Sequence, residues 1–209
     1  MQGRIIQTID CVAEGAAWLA SREPQFARAL PLIGPLPLRR EADGFQALLR
    51  AIIGQQVSVA SARAIWARLE GAGLTGAAAL STATDDDLRA VGLSRQKARY
   101  GRALADAGID FDALRALPDA EVIRTLVTVP GIGVWTAEIY AMFALGRADV
   151  FAPGDLALQE AARLLFDLPV RPGDKALRAM AESWSPWRSV AARILWAWYH
   201  HAKTREGVV

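Results

Sequence analysis

Apolar residues along this chain recur every three or four positions almost throughout, and strict alternation is rare. In residues 43–56, "DGFQALLRAIIGQQ", Phe45, Leu48, Leu49, Ile52 and Ile53 fall at helical spacing. Ser58 is placed to cap the next helix, "VASARAIWARLE", where Ile65, Trp66 and Leu69 repeat that spacing before "GAGLTG" ends it. "TDDDLRAVG" sets three acids in a first turn behind Thr84, where they complement the helix dipole. Ser94 heads "RQKARYGRALADAG", and Pro118-Asp119 opens a helix leading into "LVTVPGIGVWTAEIYAMFALG". Pro-Gly-Asp occurs at 153–155 and again at 172–174, each time at the head of a helical pattern. In the last helix Ser185 is the expected cap, with Pro186 in the first turn, a position that proline tolerates. The best strand-like run, "LVTV", is short, and "LPLIGPLPLRR" at 30–40 is the clearest linker.

This pattern predicts an all-α fold: one helical domain over residues 1–209 with two lobes. Residues 1–40 with the C-terminal helices are expected to form one lobe. Roughly 41–150, including a hairpin at 128–146, form the other.

Composition narrows the class. A chain of 209 residues that is 53% hydrophobic and 22% charged is globular. No apolar run approaches the ~20 residues that a membrane span needs. The opening "MQGRIIQTIDCVAEG" contains Asp10 and Glu14 and makes a poor signal peptide. The expected compartment is therefore the cytoplasm, at the nucleoid if the source is bacterial. One cysteine, Cys11, excludes an internal disulfide framework and an all-cysteine metal or iron–sulfur site. His200-His201 has no partner cysteine or further histidine, so no metal site is expected. A net charge of +2 permits a nucleic-acid partner without requiring one.

The most informative stretch is "TVPGIGVWTAEIYAMFALG" at 128–146. A helix ends, Pro130-Gly131-Ile132-Gly133 turns tightly, and another helix begins at once. Glycines there allow positive φ and leave amides uncovered, and amides beside a helix N-terminus suit a phosphate oxygen. Such a hairpin can grip a nucleic-acid backbone without reading its sequence. Taken alone, the same residues also describe a glycine-rich turn between packed helices.

In its wider context the hairpin resembles the helix-hairpin-helix of the DNA base-excision glycosylase superfamily. "RAIIGQQVSVASARAIWARL" resembles the family's minor-groove segment, "GLSRQKARYGRALA" its next block and "SWSPWRSVAARILWAWYH" its C-terminal helix. Over roughly residues 40–200 these motifs, in this order, are most similar to the DNA-3-methyladenine glycosylase II branch. Residues 1–40 are too short for that branch's N-terminal β-domain and read helical.

The resemblance implies roles. The family's catalytic Asp follows its hairpin by about twenty residues; Asp155 lies 22 past Gly133, whereas Asp174 lies 41 past it and reads as a cap. A carboxylate there would stabilise the positive sugar that forms as the base departs, and a helix N-terminus favours its charged form. Strand-nicking relatives carry a Lys two positions after the second glycine; here that position is Trp135, which implies a monofunctional hydrolase. Trp135 and Trp196 match pocket tryptophans, whose faces suit a positively charged alkylated purine. Gln56 stands at the family's wedge, where close bacterial members have an apolar Leu, and Ile139 replaces a pocket Tyr. Gly131, Gly133, Thr136, Gln55 and Gln56 are the expected DNA-binding residues, and Arg95, Lys97, Arg99 and Arg102 are further candidates for phosphates.

No cofactor is expected beyond a Na+ or K+ ion at the hairpin carbonyls. The expected partner is double-stranded DNA containing alkylated bases, met by a monomer that flips the base. Other readings are a glycosylase for deaminated or mismatched bases and a non-catalytic DNA-binding hairpin protein.

Overall fold

The computed structural model describes residues 3–205, and among them every regular element is helical, apart from one isolated bridge between Ile5 and Arg147. In chain order the α-helices are α1 (Ile9–Arg22), α2 (Pro24–Ile33), α3 (Phe45–Gly54), α4 (Val59–Gly71), α5 (Ala77–Thr82), α6 (Asp85–Ala90) and α7 (Arg95–Asp106). There follow α8 (Phe111–Ala116), α9 (Asp119–Val127), α10 (Val134–Phe143), α11 (Leu156–Leu165), α12 (Asp174–Met180) and α13 (Arg188–Arg205), with a 3-10 turn at Ala181–Trp184. The chain divides into two compact units, Glu41–Tyr140 and a second made of 3–40 with 141–205, and the division falls inside α10. No helix among the described residues is long and apolar enough to cross a membrane.

In the Glu41–Tyr140 unit, α3 packs against α4 and α7, and α7 against α5. The buried face of α3 is Leu48, Leu49, Ile52 and Ile53, the set that its spacing predicts. Three expected caps form. Ser58 Oγ accepts from Ser61 N at 3.1 Å, and Ser94 Oγ accepts from Lys97 N at 3.3 Å. Thr84 and Asp87 exchange bonds in a capping box. Each such cap contributes on the order of 1 kcal/mol.

The other unit is built on α13, which packs against α11, α2 and α1. Trp184 sits at its centre, 2% exposed, with ring centroids of Phe26, Phe151 and Phe166 at 5.2, 5.5 and 5.8 Å. Aromatic pairs at these separations add to the area they bury.

Several local expectations need correction. The segment 43–56 is helical only over Phe45–Gly54, because Gly44 enters at φ 96° and Gln56 leaves at φ 57°. "LVTV" is the end of α9 and its C-cap Thr128; four residues cannot form a strand when no neighbouring strand supplies hydrogen bonds. The first four residues of the linker, 30–33, complete α2, which stops where Gly34 turns to φ 70°. Ser185 does not cap α13: its Oγ donates to Asp149 Oδ2 at 2.8 Å, and the helix starts at Arg188. Asp174 is the first helical residue behind the N-cap Gly173 and pairs with Arg178 at 3.6 Å.

Gly15 of α1 shows how closely this second unit is packed. A Cβ there would lie 2.6 Å from Trp187 and 2.8 Å from Val190, and Trp187 is 3% exposed. Gly15→Ala is expected to destabilise the protein by roughly 1–3 kcal/mol despite alanine's better helix propensity. Denaturant unfolding of the two proteins checks this; a stabilised variant would contradict the packing.

Candidate active site and nucleic-acid interface

The hairpin lies in the Glu41–Tyr140 unit. After α9 the chain turns through Pro130, Ile132 N donates to Val129 O at 3.0 Å, and Ile132 is 4% exposed, pinning the loop to the core. Gly131 has φ 95°, and a Cβ on it would sit 2.4 Å from the Tyr100 ring, so only glycine fits. Gly133 is different: a Cβ there would meet nothing. Its carbonyl accepts from Ala137 N at 3.0 Å, which makes it the N-cap of α10. The opening amides of α10 have no acceptor within the helix and lie at its positive end.

A second loop is tied to this hairpin. Gln55 Nε2 donates to Gly131 O at 2.9 Å, and Lys97 Nζ donates to Ile53 O at 2.6 Å. Partial burial pushes the Lys97 ammonium below its ordinary value. These bonds fix the end of α3 and leave Gln56 exposed in the left-handed region, which a non-glycine residue rarely occupies. Of the four basic residues considered for phosphates, Lys97 is thus committed to a carbonyl. Arg102 is committed to Asp85 at 2.5 Å and Ala83 O at 2.8 Å. Arg95 and Arg99 face solvent.

Thr136 is 7% exposed, so what it can offer a surface ligand is its backbone amide, in the first turn of α10. Trp135, next to it, is 47% exposed. Tyr140, next to Ile139, points inward: its hydroxyl accepts from Gly44 N at 2.9 Å, and burial raises it to about 12.

Asp155 lies in the other unit, as the N-cap of α11. The Pro-Gly turn before it is held by Asp155 N donating to Ala152 O at 3.0 Å and by the buried Gln159, whose Nε2 donates to Pro153 O at 2.9 Å. Three N–H groups converge on Asp155 Oδ1: Ala157 N at 2.9 Å, Leu158 N at 3.1 Å and, from α13, Trp196 Nε1 at 3.4 Å. Among the described residues no tryptophan reaches Asp174 in this way. The two Pro-Gly-Asp repeats therefore diverge in structure, one a cap beside an indole and the other an exposed first-turn residue with an arginine.

Trp196 is half-buried and tilts against Phe143, with centroids 5.7 Å apart. Arg39 lies over both rings, its Cζ 4.2 Å from the Phe143 centroid and 5.3 Å from that of Trp196. Arg193, 2% exposed, donates to Leu38 O at 2.9 Å, to Ser189 O at 2.8 Å and to Ser189 Oγ at 2.6 Å. Its burial, with Arg39 and Arg40 nearby, lowers it to about 10. Arg39 was not among the residues expected from sequence. It stands in an arginine pair at the end of a linker, and nothing in that pattern marks an aromatic contact. Among the described residues no group of His, Cys, Asp or Glu could hold a metal ion.

Residues 49–188 match the family model of the HhH-GPD superfamily base excision DNA repair protein. The chain belongs to that superfamily. DNA-3-methyladenine glycosylase 1 of Schizosaccharomyces pombe is 28% identical to it over 190 residues, covering 85% of this chain and 83% of that protein. DNA-3-methyladenine glycosylase 2 of Escherichia coli is 34% identical over 170 residues, covering 74% of this chain and 57% of its own length. The chain spans 40% of the length of a Bacillus subtilis relative. The solved structure of the Schizosaccharomyces pombe enzyme in complex with abasic DNA superposes with a TM-score of 0.76 at 26% identity, covering 92% of this chain and 97% of that one.

In this HhH-GPD chain the bond from Gln55 to Gly131 joins two segments that sequence separates by 76 positions. Gln55→Ala is expected to cost about 1 kcal/mol and to speed amide exchange at residues 131–133. Hydrogen exchange of the folded protein measures this, and unchanged protection there would show that the brace is dispensable.

Proposed function

We propose that this protein is a monofunctional DNA glycosylase that acts as a monomer on duplex DNA and releases alkylated purines of the 3-methyladenine and 7-methylguanine type. The observation that carries this reading is the seat of Asp155, a half-buried carboxylate at a helix N-terminus with a tryptophan N–H on its Oδ1. The names of the relatives above support the same substrate class.

Breaking the bond between the base and C1′ sends both bonding electrons to the base, so an alkylated purine that enters as a cation leaves neutral. Positive charge passes to the sugar, where the Asp155 carboxylate stabilises it. Water then adds to C1′ and gives up a proton to the carboxylate or to solvent. The N–H groups on Oδ1 hold the carboxylate in place, so it need not reorganise as charge develops. Because the alkylated base is already a good leaving group, little acid assistance is required.

The remaining roles belong to the same proposal. Trp196, beside Asp155, supplies an aromatic face for the extruded base, and the half-exposed Trp135 is a separate aromatic candidate in its own unit. Gln56, exposed at the tip of its loop, enters the stack in place of the flipped nucleotide. Gly131, Gly133 and the opening amides of α10, that of Thr136 included, take a phosphate, while Gln55 holds the two loops together. The carbonyls of Val129 and Gly131 each accept one hydrogen bond and keep a second lone pair, so they suit a Na+ or K+ ion at the hairpin. Trp135 stands where a lyase needs its lysine, so the strand stays intact after base release.

Asp155→Asn tests the mechanism, since asparagine caps a helix about as well as aspartate and should leave the fold in place. Methylated duplex DNA incubated with wild type is expected to lose methylated purines and to break only after alkali treatment. The variant should release none and still bind DNA. Full activity in the variant would remove Asp155 from the chemistry, and strand breaks without alkali would overturn the monofunctional reading.

A further inference from the structure

We propose that Arg39 sets the lesion preference of this site, favouring purines that carry a carbonyl at C6 over purines that carry an amino group there. The inference rests on the reading above, in which Trp196 stacks the flipped base beside Asp155.

Arg39 is exposed, yet its guanidinium lies over two rings, 5.3 Å from the Trp196 centroid and 4.2 Å from that of Phe143. The Trp196 ring is the one whose N–H reaches Asp155 Oδ1 at 3.4 Å. Among the described residues the Arg39 guanidinium contacts these two rings, and its fork carries five N–H donors. The position is enforced from below. Arg39 has φ 47°, and the preceding carbonyl, of Leu38, is gripped by the buried Arg193, itself anchored on Ser189. A cation held in strained backbone on the face of a site tryptophan is placed to read whatever stacks there.

What it would read follows from the bases. In DNA both 7-methylguanine and 3-methyladenine carry one positive charge, so repulsion from the arginine is common to the two and cancels in their comparison. They differ at C6. The O6 of 7-methylguanine accepts hydrogen bonds, whereas the amino group of 3-methyladenine donates them. A guanidinium only donates. It therefore pairs with the carbonyl and opposes the amine, and one charge-assisted hydrogen bond corresponds to roughly tenfold in relative rate.

The experiment measures initial rates of release of both bases from one preparation of methylated duplex DNA, by chromatography, after subtracting spontaneous loss. Wild type is compared with Arg39→Gly, which suits the positive φ, and with Arg39→Gln, whose amide can donate or accept. In both variants the ratio of 7-methylguanine to 3-methyladenine release is expected to fall, by roughly tenfold for the glycine. A ratio equal to that of wild type in either folded variant overturns the inference. That holds whether both rates persist or both decline together, the second pattern being that of an arginine on a DNA phosphate. If wild type releases neither purine, the proposed function itself fails, an outcome distinguishable from a failure of Arg39 alone.

Discussion

Asp155 Oδ1 is where the second unit's architecture converges. Two of the N–H groups on it open α11, and the third comes from α13. These two helices pack against each other, so the carboxylate sits at the head of the interface on which that unit depends. A cap contributes about 1 kcal/mol, a small part of a domain's stability, but here it also fixes the direction of an oxygen. A side chain kept for reaction alone would have to be held by contacts of its own. A capping carboxylate is held by backbone that the helix must present in any case. The turn before it is equally constrained, with Gln159 closing on the Pro153 carbonyl.

Backbone strain is confined to a few positions outside the glycines. Among the described residues three non-glycine positions have positive φ: Arg39, Gln56 and Asp167. Asp167 follows the C-cap of α11, and aspartate tolerates this conformation through local hydrogen bonding. The other two have no such excuse, and each costs on the order of 1 kcal/mol or more. Both are braced by a cation on a neighbouring carbonyl, Arg193 on Leu38 for the one and Lys97 on Ile53 for the other. In each case a partly desolvated positive charge is spent on a backbone oxygen so that an exposed side chain stands where relaxed backbone would not place it.

Local chemistry made much of this legible. Ser58, Thr84 and Ser94 cap their helices because a hydroxyl two or three residues before an apolar repeat has few better partners than the first amides. Ser185 reads the same way and behaves differently, since Asp149, 36 positions away, captures its hydroxyl. The second Pro-Gly-Asp misleads for a related reason: the chain gives Asp174 an arginine one turn on and puts the cap position at Gly173. Local geometry was readable where it depends on spacing, as with the cap at Asp155 and the turn at the hairpin glycines. It was not readable where it depends on which surfaces meet. Thr136 lies on the buried side of α10, and Arg39 reaches its rings only through the path of a linker. Both are tertiary facts, and helical periodicity carries no information about either.

The two hairpin glycines divide along the same line. Gly131 is required from inside, by its φ of 95° and by the Tyr100 ring that a Cβ would strike. Nothing inside the protein requires Gly133, where a Cβ would meet open space. As an N-cap, Ser, Asp or Asn would serve α10 at least as well, because their oxygens would satisfy its first amides. Those same oxygens would occupy the place where an anion could bind. Glycine puts no side-chain oxygen in that place, and a phosphate oxygen brings both hydrogen bonds and the negative charge that a helix N-terminus favours. The constraint on Gly131 is therefore one of packing. At Gly133 packing imposes no such constraint, and glycine serves as an N-cap that leaves the head of α10 open.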